Sequence, residues 1–211
     1  LKTLLRKYNP IHHWHVEKTD RAQDIFSSLT QLIPISPTSF FKQLNPLLKI
    51  QNNVSYGKTW LNEHKVAERK HYKFLRNCPW SDIKAHELIQ SHLPSKCNLQ
   101  MGNSSSVRYI QLFQNKSKIK YNGNRGISGI DGSTSTAFGA AMINKQPTVL
   151  ITGDLSFIYD TNALWNQSSP ENLKIIVINN AGGGIFKIIP GPMQTPYSEE
   201  FFETKHSVNL E

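Results

Sequence analysis

Cysteine is scarce in this sequence: Cys78 and Cys97 are the only two among 211 residues. Two cysteines cannot form the disulfide framework of a small secreted domain. No apolar run approaches the roughly 18 residues that cross a bilayer, so a membrane-spanning protein is excluded, and the absence of a charged-then-apolar leader favours the cytoplasm. Because 38% of the residues are hydrophobic and 10% aromatic, the chain can bury a core, which excludes extensive disorder.

Glycine is almost absent from the first half of the chain, where Gly57 is the only one of the twelve that precedes Gly102. The basic charge lies mainly in that first half. Residues 1–95 carry 14 Lys and Arg against 7 Asp and Glu, whereas residues 96–211 carry 10 against 8. The net charge of +9 is therefore concentrated away from the glycine-rich part, and we expect two parts with different roles that meet near residue 95.

The two ends of the sequence suggest a piece of a longer protein. The chain begins at Leu1 inside a helix-compatible stretch that no start signal precedes. Leu210-Glu211 is a pair that commonly remains from a cloning site, and we exclude it from the fold. Within these ends we expect three segments: residues 1–50 as the C-terminal part of a central α/β domain, 51–95 as a helical connector, and 96–211 as a further domain.

Residues 96–211 alternate short apolar runs with helical patterns. The strands predicted there are 97–101, 118–121, 148–152 and 174–178, and the predicted helices are 107–113, 133–143 and about 160–165. In residues 1–95 the predicted strands are 11–16 and 29–33, with helices at 1–8, after a Ser36 cap, from Trp60 and after a Ser81 cap. Strands that alternate with helices predict an α/β fold with a doubly wound parallel sheet. Such sheets bind ligands beyond the carboxyl ends of their strands.

Two of these strand ends carry residues suited to a metal ion. Gly153-Asp154 follows the third strand of the later segment and Asn179-Asn180 follows the fourth, with 26 positions between Asp154 and Asn180. A crossover helix and a return strand need about that length. Carboxylate and amide oxygens are hard ligands for Mg2+, and Gly182 could turn its carbonyl to the same ion. Each motif alone is ordinary turn chemistry, so their combination predicts a metal-bridged diphosphate site.

Gly-Asp followed at this distance by Asn-Asn resembles the fingerprint of the thiamine diphosphate enzymes. The flanking residues are similar to one branch, the 2-succinyl-5-enolpyruvyl-6-hydroxy-3-cyclohexene-1-carboxylate synthases (MenD) of menaquinone biosynthesis. The motifs that carry the resemblance are Gly102-Asn103-Ser104, Asn124 to Gly132, Gly153-Asp154-Leu155-Ser156 and Asn179 to Phe186. The resemblance covers residues 97–192 closely and 1–95 more loosely. Many thiamine diphosphate enzymes have glycine directly after Gly-Asp, whereas this chain has Leu155-Ser156, as is typical of this branch.

The resemblance implies a cofactor role for each matching position. Asp154 and Asn180 would hold Mg2+ through their side chains and Gly182 through its carbonyl, and Mn2+ is able to replace Mg2+. Gly129 would receive the aminopyrimidine of thiamine diphosphate through its backbone. Ile130 would force the cofactor into a bent shape. The other implied cofactor contacts are Leu155 and Ser156.

The resemblance also implies a set of residues around the substrates. The implied catalytic residues are Ser104, Arg108, Arg125, Ile185 and Phe186. Ser104 and the two arginines would meet the carboxylates of 2-oxoglutarate and isochorismate, and the planar guanidinium matches a carboxylate. Ile185, Phe186 and Ile189 would form an apolar wall, whose low dielectric favours loss of CO2 from a charged adduct.

The implied activity is a transferase reaction that depends on thiamine diphosphate and Mg2+. 2-Oxoglutarate would be decarboxylated and the resulting succinyl carbanion added to isochorismate, by a cytoplasmic homodimer or homotetramer without a nucleic-acid partner. A glutamate of a separate pyrimidine-binding domain completes such sites, and 211 residues leave no room for that domain. We therefore expect residues 96–211 to be a diphosphate- and Mg-binding domain truncated at its C-terminus, and the chain alone to be inactive.

Several alternatives compete with this interpretation. Another thiamine diphosphate enzyme, of the acetolactate synthase or 2-oxo acid decarboxylase type, is the main one, but an enzyme for uncharged acceptors needs few arginines. His12, His13 and His15 could suggest a metal site, yet no Cys or His pair follows at a recognised spacing. The basic helix 63–76 is more typical of a solvated face than of a nucleic-acid surface. Dinucleotide binding is disfavoured because neither usual glycine-rich phosphate motif occurs.

Overall fold

The computed structural model describes residues 2–48 and 55–210 of the chain. Its internal contacts form two compact units, residues 1–69 and residues 70–211. The expected segments 1–50, 51–95 and 96–211 stay predictions. The first of their boundaries falls within residues 49–54, outside the described residues, as do Leu1 and Glu211.

The first unit contains a small parallel pair of strands with short helices. Its elements are α1 (Lys2–Lys7), β1 (Trp14–Val16), β2 (Gln31–Ile33), α2 (Pro37–Leu44), a 3-10 turn (Asn45–Leu47) and the beginning of α3 (Ser55–Asn77). β1 pairs with β2 in parallel, Trp14 opposite Gln31. The Ser36 hydroxyl accepts a hydrogen bond from the Ser39 N–H at 3.1 Å. Ser36 is thus the N-cap of α2 that the sequence predicts.

The second unit alternates strands and helices. After the end of α3 it contains α4 (Asp82–His92), β3 (Cys97–Met101), α5 (Ser105–Ile110), β4 (Ile119–Gly123), α6 (Ser133–Ile143), β5 (Thr148–Gly153), α7 (Asp154–Tyr159) and β6 (Leu173–Ile178). Short 3-10 or π turns lie at Thr161–Leu164, Gly184–Lys187, Pro192–Gln194 and Ser198–Phe202. Within the described residues of the chain, no helix has both the length and the apolar character of a membrane span.

The four strands of the second unit form one parallel sheet in the order β4-β3-β5-β6. The chain moves from β3 outward to β4, then returns to the other side of β3 to form β5 and β6. This reversal makes the sheet doubly wound, and it places a topological switch point between β3 and β5. The predicted α/β fold class is confirmed.

The two central strands carry the core of the second unit. β3 and β5 are buried along almost their whole length, whereas β6 is only partly buried because it lies at the edge of the described sheet. β3 nevertheless contains two buried amides. The Gln100 amide donates to Asn98 Oδ1 at 3.1 Å, and Asn122 of β4 donates to the same oxygen at 2.7 Å. The amides therefore satisfy one another, as buried polar groups must.

Three local predictions are wrong. The range expected as a helix, about 160–165, contains the 3-10 turn Thr161–Leu164, and the α-helix lies before it. This helix, α7, begins at Asp154, where the carboxylate accepts a hydrogen bond from the Leu155 N–H at 2.7 Å. A carboxylate is favourable at a helix N-terminus, so β5 passes into α7 without a loop. The helix expected at 107–113 is α5, which starts and ends earlier. Ser81 occupies the N-cap position of α4, but its hydroxyl donates to the Pro79 carbonyl and does not cap the helix.

We expect the core around β3 to determine the stability of the second unit. Leu99 is completely buried in the centre of the sheet. Leu99→Ala should lower the free energy of unfolding by about 2–5 kcal/mol, because it removes buried methyl groups and leaves a cavity. Leu112→Ala is the matched control, since Leu112 is 51% exposed and its truncation should cost less than about 0.5 kcal/mol. Equal losses in denaturant unfolding would contradict the assignment of the core.

Candidate functional site

A cavity of about 340 Å3 opens at the switch point of the sheet. Asn103 and Ser104 reach it directly after β3, Gly153 and Asp154 at the junction of β5 and α7, and Asn180 after β6. The carboxyl ends of three parallel strands thus supply its lining. This is the region where open α/β sheets bind their ligands.

The cavity brings together nearly all the residues that the sequence singles out. Those that line it are Ser104, Arg108, Arg125, Ile130, Asp154, Leu155, Ser156, Asn180, Gly182, Ile185, Phe186 and Ile189. Gly129 does not line it. A Cβ atom at that position would meet only the Asp131 carboxylate, a side chain that can move away. The lining shows that these residues share one cavity, while their individual roles stay predictions.

A buried carboxylate joins the two strand ends that the sequence pairs. Asp154 is 2% exposed. Its Oδ2 accepts hydrogen bonds from the Gly182 N–H at 2.9 Å and from the Asn180 N–H at 3.2 Å. Its Oδ1 accepts the Leu155 N–H. Bonds from N–H groups to a charged oxygen are stronger than neutral ones, so Asp154 fixes the loop that follows β6.

That loop is packed too closely for a side chain at its glycines. Gly182 has a φ of +148°, and a Cβ on it would lie 2.6 Å from the Glu203 carbonyl oxygen. The Gly183 N–H donates to the same oxygen at 2.5 Å. The Glu203 carboxylate is also buried, with Lys187 at 3.3 Å and Lys205 at 3.7 Å. The backbone of the loop therefore faces both Asp154 and the segment around Glu203.

His206 lies beside the same carboxylate. Its Nε2 is 3.2 Å from Asp154 Oδ2, but this contact has no hydrogen-bond geometry and Nε2 is a buried atom with no hydrogen-bond partner among the described residues. A buried polar atom of this kind marks a polar environment in which a ligand can supply the missing partner.

The oxygens around Asp154 fit a hard divalent cation. A carboxylate oxygen can accept about two hydrogen bonds. Oδ2 of Asp154 accepts two N–H groups and Oδ1 only one, so one lone pair of Oδ1 stays available. The Asn180 carboxamide donates through Nδ2 to Asp82 at 3.0 Å, which leaves its Oδ1 as the acceptor. Together with a backbone carbonyl of Gly182 these are the oxygen ligands that Mg2+ prefers.

A second group of contacts organises the arginine side of the cavity. Arg125 donates through Nη1 to Asn103 Oδ1 at 2.6 Å, and Asn103 donates through Nδ2 to the Ser128 carbonyl. Asn103 is buried and so ties the glycine-rich loop to the end of β3. Arg108 projects from α5 into the same cavity. Among the described residues, neither arginine forms an ion pair with a carboxylate.

Two further contacts hold the remaining walls. The buried Ser156 hydroxyl donates to the Ile130 carbonyl at 2.5 Å, so the first turn of α7 fixes the backbone of Ile130. Ile185 and Phe186 lie on the turn Gly184–Lys187. The Phe186 ring packs against Phe202, with 5.6 Å between ring centroids. One wall of the cavity is therefore apolar.

Sequence reasoning missed several residues of this site. Asp82 and His86 of α4 line the cavity, and His206 contacts Asp154. None of them stands at a spacing that relates it to the metal-site motifs, so only the fold reveals them. Asn103 could have been found, because it belongs to one of the quoted motifs.

Two of the three histidines near the start of the chain contact other side chains. His15 Nε2 pairs with Glu17 at 3.1 Å, and His13 Nδ1 contacts the Ser28 hydroxyl at 3.2 Å. Over residues 2–48 and 55–210, no group of three or more His, Cys, Asp and Glu side chains is placed to hold a metal ion. A site built on Asp154 uses a single carboxylate with amide and backbone oxygens, which is a different donor set.

The chain is similar to known proteins over its whole length. Residues 100–210 match the family model of the thiamine pyrophosphate enzyme C-terminal TPP binding domain. The 2-succinyl-5-enolpyruvyl-6-hydroxy-3-cyclohexene-1-carboxylate synthase of Flavobacterium psychrophilum is 48% identical over 98% of this chain and 37% of its own length. The synthases of the same name from Flavobacterium johnsoniae and Porphyromonas gingivalis are 44% and 40% identical, over 100% and 97% of this chain and 38% and 37% of their own lengths. The predicted resemblance is confirmed, and the chain spans little more than a third of these relatives.

Burial lowers the pKa of His86 from its ordinary value of 6.5, although the nearby Asp82 carbonyl and carboxylate act in the opposite direction. The imidazole is fully buried, with Nδ1 2.6 Å from the Asp82 carbonyl and its ring against Tyr109. Below pH 6.5 the unfolded chain takes up a proton at this residue more readily than the folded chain does. The contribution of His86 to stability is therefore complete above that pH and is lost as the pH falls below it.

His86→Gln should flatten the loss of stability on acidification. We expect the unfolding free energy of this variant to fall less between pH 7 and pH 5 than that of the unchanged chain, because the residue whose pKa is lowered by folding is gone. The measurement is denaturant unfolding at several pH values. His92→Gln, at an exposed position of the same helix, is the matched control. An unchanged pH slope for His86→Gln would show that folding does not lower the pKa of His86.

Proposed function

Because the chain belongs to the thiamine pyrophosphate enzymes, whose C-terminal cofactor-binding domain matches residues 100–210, we propose that it is the cofactor-binding part of a 2-succinyl-5-enolpyruvyl-6-hydroxy-3-cyclohexene-1-carboxylate synthase. The names of its relatives support this assignment. The observation that carries it is the buried Asp154 carboxylate, which accepts the N–H groups of Asn180 and Gly182. This contact unites the Gly-Asp and Asn-Asn motifs at the end of the sheet.

The metal and the diphosphate would lie at this junction. Asp154 and Asn180 would bind Mg2+, or Mn2+ in its place, through side-chain oxygens, and Gly182 through its carbonyl. The burial of Asp154 supports this role, because a dehydrated carboxylate interacts more strongly with a cation than one in water. Ser156 would act indirectly, by holding the Ile130 carbonyl and so fixing the residue that supports the bent cofactor.

The substrates of the proposed reaction are 2-oxoglutarate and isochorismate. Thiamine diphosphate, when bound, supplies the stabilisation of carbanions that decarboxylation of 2-oxoglutarate and addition to isochorismate require. The residues of this chain orient the two anions and exclude water. Arg108 and Arg125 would bind the carboxylates, with Ser104 beside them, since both arginines line the cavity and have no carboxylate partner among the described residues.

The apolar wall would serve the decarboxylation step. Ile185, Phe186 and Ile189 line the cavity, and Phe186 is held in place by Phe202. An apolar surface next to the reacting carbon destabilises a charged carboxylate relative to neutral CO2. Gly129 and Leu155 would contact the cofactor through their backbone or side chain, as in the resembling family.

Another thiamine diphosphate lyase is the second candidate. Its acceptor would be uncharged, and it would leave two arginines in the cavity without a function.

We also propose that the working enzyme is a cytoplasmic homodimer or homotetramer. The 211-residue chain by itself should be inactive, because the glutamate that activates the cofactor belongs to a separate pyrimidine-binding domain.

Asp154→Ala tests the metal site directly. In the full-length enzyme that carries this chain, we expect Mg2+-dependent binding of thiamine diphosphate to weaken by more than about a hundredfold, since loss of a residue that only orients a metal ligand already costs about 10- to 100-fold. Calorimetric titration measures this affinity, and turnover should be lost with it. Asp160→Ala is the matched control, because Asp160 is also buried and accepts the Ser135 N–H but does not line the cavity. Normal cofactor binding by Asp154→Ala would refute the proposed function.

Arg108→Ala tests the proposed role of Arg108 in substrate binding. If Arg108 binds a substrate carboxylate, the variant should raise the KM for 2-oxoglutarate or isochorismate by about 10- to 100-fold, the size expected for a charged hydrogen bond. Steady-state kinetics of the full-length enzyme measures both constants. Arg76→Ala, at an exposed position of α3 outside the cavity, should leave both unchanged. Unaltered constants for Arg108→Ala would show that Arg108 does not bind either substrate.

A further inference from the structure

Asp82 contacts the Asn180 side chain across 98 positions of the sequence. Asp82 is the first residue of α4, and its Oδ2 accepts a hydrogen bond from Asn180 Nδ2 at 3.0 Å. Both residues line the cavity at the switch point. Nothing in the motifs around Asn180 involves α4, so this contact adds an element that the cofactor fingerprint does not contain.

The contact decides which end of the Asn180 carboxamide faces Asp82. A carboxylate can only accept hydrogen bonds, so the amide must present its NH2 group to it. The two ends of a carboxamide diverge from the same carbon, and the carbonyl oxygen Oδ1 is therefore directed away from Asp82. Without Asp82 the side chain could exchange the two ends by rotation, and only one of them can bind a cation.

Two neighbouring features limit the movement of this pair. A Cβ atom at Gly184 would lie 3.0 Å from Asn180 Nδ2, so the amide occupies the space that glycine leaves free. On the other side, the buried His86 ring has its Nδ1 2.6 Å from the Asp82 carbonyl. The backbone that carries the Asp82 carboxylate is thus tied to the interior of the second unit.

We propose that Asp82 is a positioning residue, which holds the Asn180 carboxamide so that Oδ1 is presented to the divalent cation. This inference rests on the proposed function, because it requires Asn180 to be a metal ligand. Residues that orient metal ligands through hydrogen bonds contribute about 10- to 100-fold to metal affinity. Asp82 does not touch the cation or the substrates in this account, and it acts through Asn180.

The test compares Asp82→Ala with Asp82→Asn in the full-length enzyme. Asp82→Ala removes the acceptor, and the Mg2+ concentration that gives half-maximal binding of thiamine diphosphate should rise about tenfold or more. Asp82→Asn keeps a carbonyl oxygen that accepts the Asn180 Nδ2–H, so its Mg2+ requirement should stay close to that of the unchanged enzyme. Calorimetric titration at a series of Mg2+ concentrations gives these values without relying on turnover. With saturating Mg2+, kcat of Asp82→Ala should largely recover.

Two controls separate the possible outcomes. Glu87→Ala removes an acidic residue that pairs with Lys84 on the same helix and should not change the Mg2+ requirement. A similar rise for Glu87→Ala, or for Asp82→Asn, would show an effect of charge or helix stability and overturn the positioning role. An unchanged requirement for Asp82→Ala also overturns it. If Asp154→Ala abolishes Mg2+-dependent binding in the same titration while Asp82→Ala leaves the Mg2+ requirement unchanged, only the positioning role of Asp82 is refuted. Normal binding by Asp154→Ala would instead refute the proposed function itself.

Discussion

The buried charge of Asp154 is the constraint on which the site depends. A carboxylate removed from water is unfavourable unless it is paired or hydrogen-bonded. Here three backbone N–H groups, those of Leu155, Asn180 and Gly182, supply that compensation. Two of them, those of Asn180 and Gly182, belong to the loop after β6, so their hydrogen bonds to the carboxylate stabilise the conformation of that loop. The carboxylate therefore organises the protein around it before any ligand is considered, and the oxygens that suit a cation are assembled as a consequence.

The winding of the sheet determines which strand ends meet at this charge. β3 and β5 are neighbours although β4 lies between them in sequence. The Gly102 N–H donates to the Ile151 carbonyl at 2.7 Å, and a Cβ on Gly102 would lie 2.7 Å from Thr152 Oγ1. The end of β3 thus approaches β5 more closely than any residue with a side chain would allow. This close approach brings Asn103 and the arginine it holds into the same cavity as Asp154.

The sequence predicts those parts of the structure that depend on local pattern and chain length. The apolar runs at β5 and β6 and the distance from Asp154 to Asn180 were sufficient to predict a shared site, because parallel strands bring their ends to one edge. The start of α7 could not be predicted in this way, since Gly153-Asp154 is equally compatible with a turn. Asp82 and His206 could not be predicted as residues of the site, because their contacts depend on how α4 and the segment after Glu203 pack. The burial of Asn98 and Gln100 in the core could not be predicted either, because it depends on hydrogen bonds between side-chain amides that form only when the strands are in register.

The acidic and basic side chains of the cavity have different hydrogen-bond partners, and this separation agrees with the proposed chemistry. Asp82 and Asp154 are both connected to Asn180, whereas Arg125 is connected to Asn103. Under the proposed function, a diphosphate bound near the two carboxylates would be repelled unless a divalent cation stood between them, which supports the proposed metal. On the other side, an arginine that formed an ion pair within the protein would have little attraction left for an anionic substrate. Among the described residues, no carboxylate neutralises Arg108 or Arg125. The proposed binding of anionic substrates would therefore use positive charge that the described residues leave unpaired.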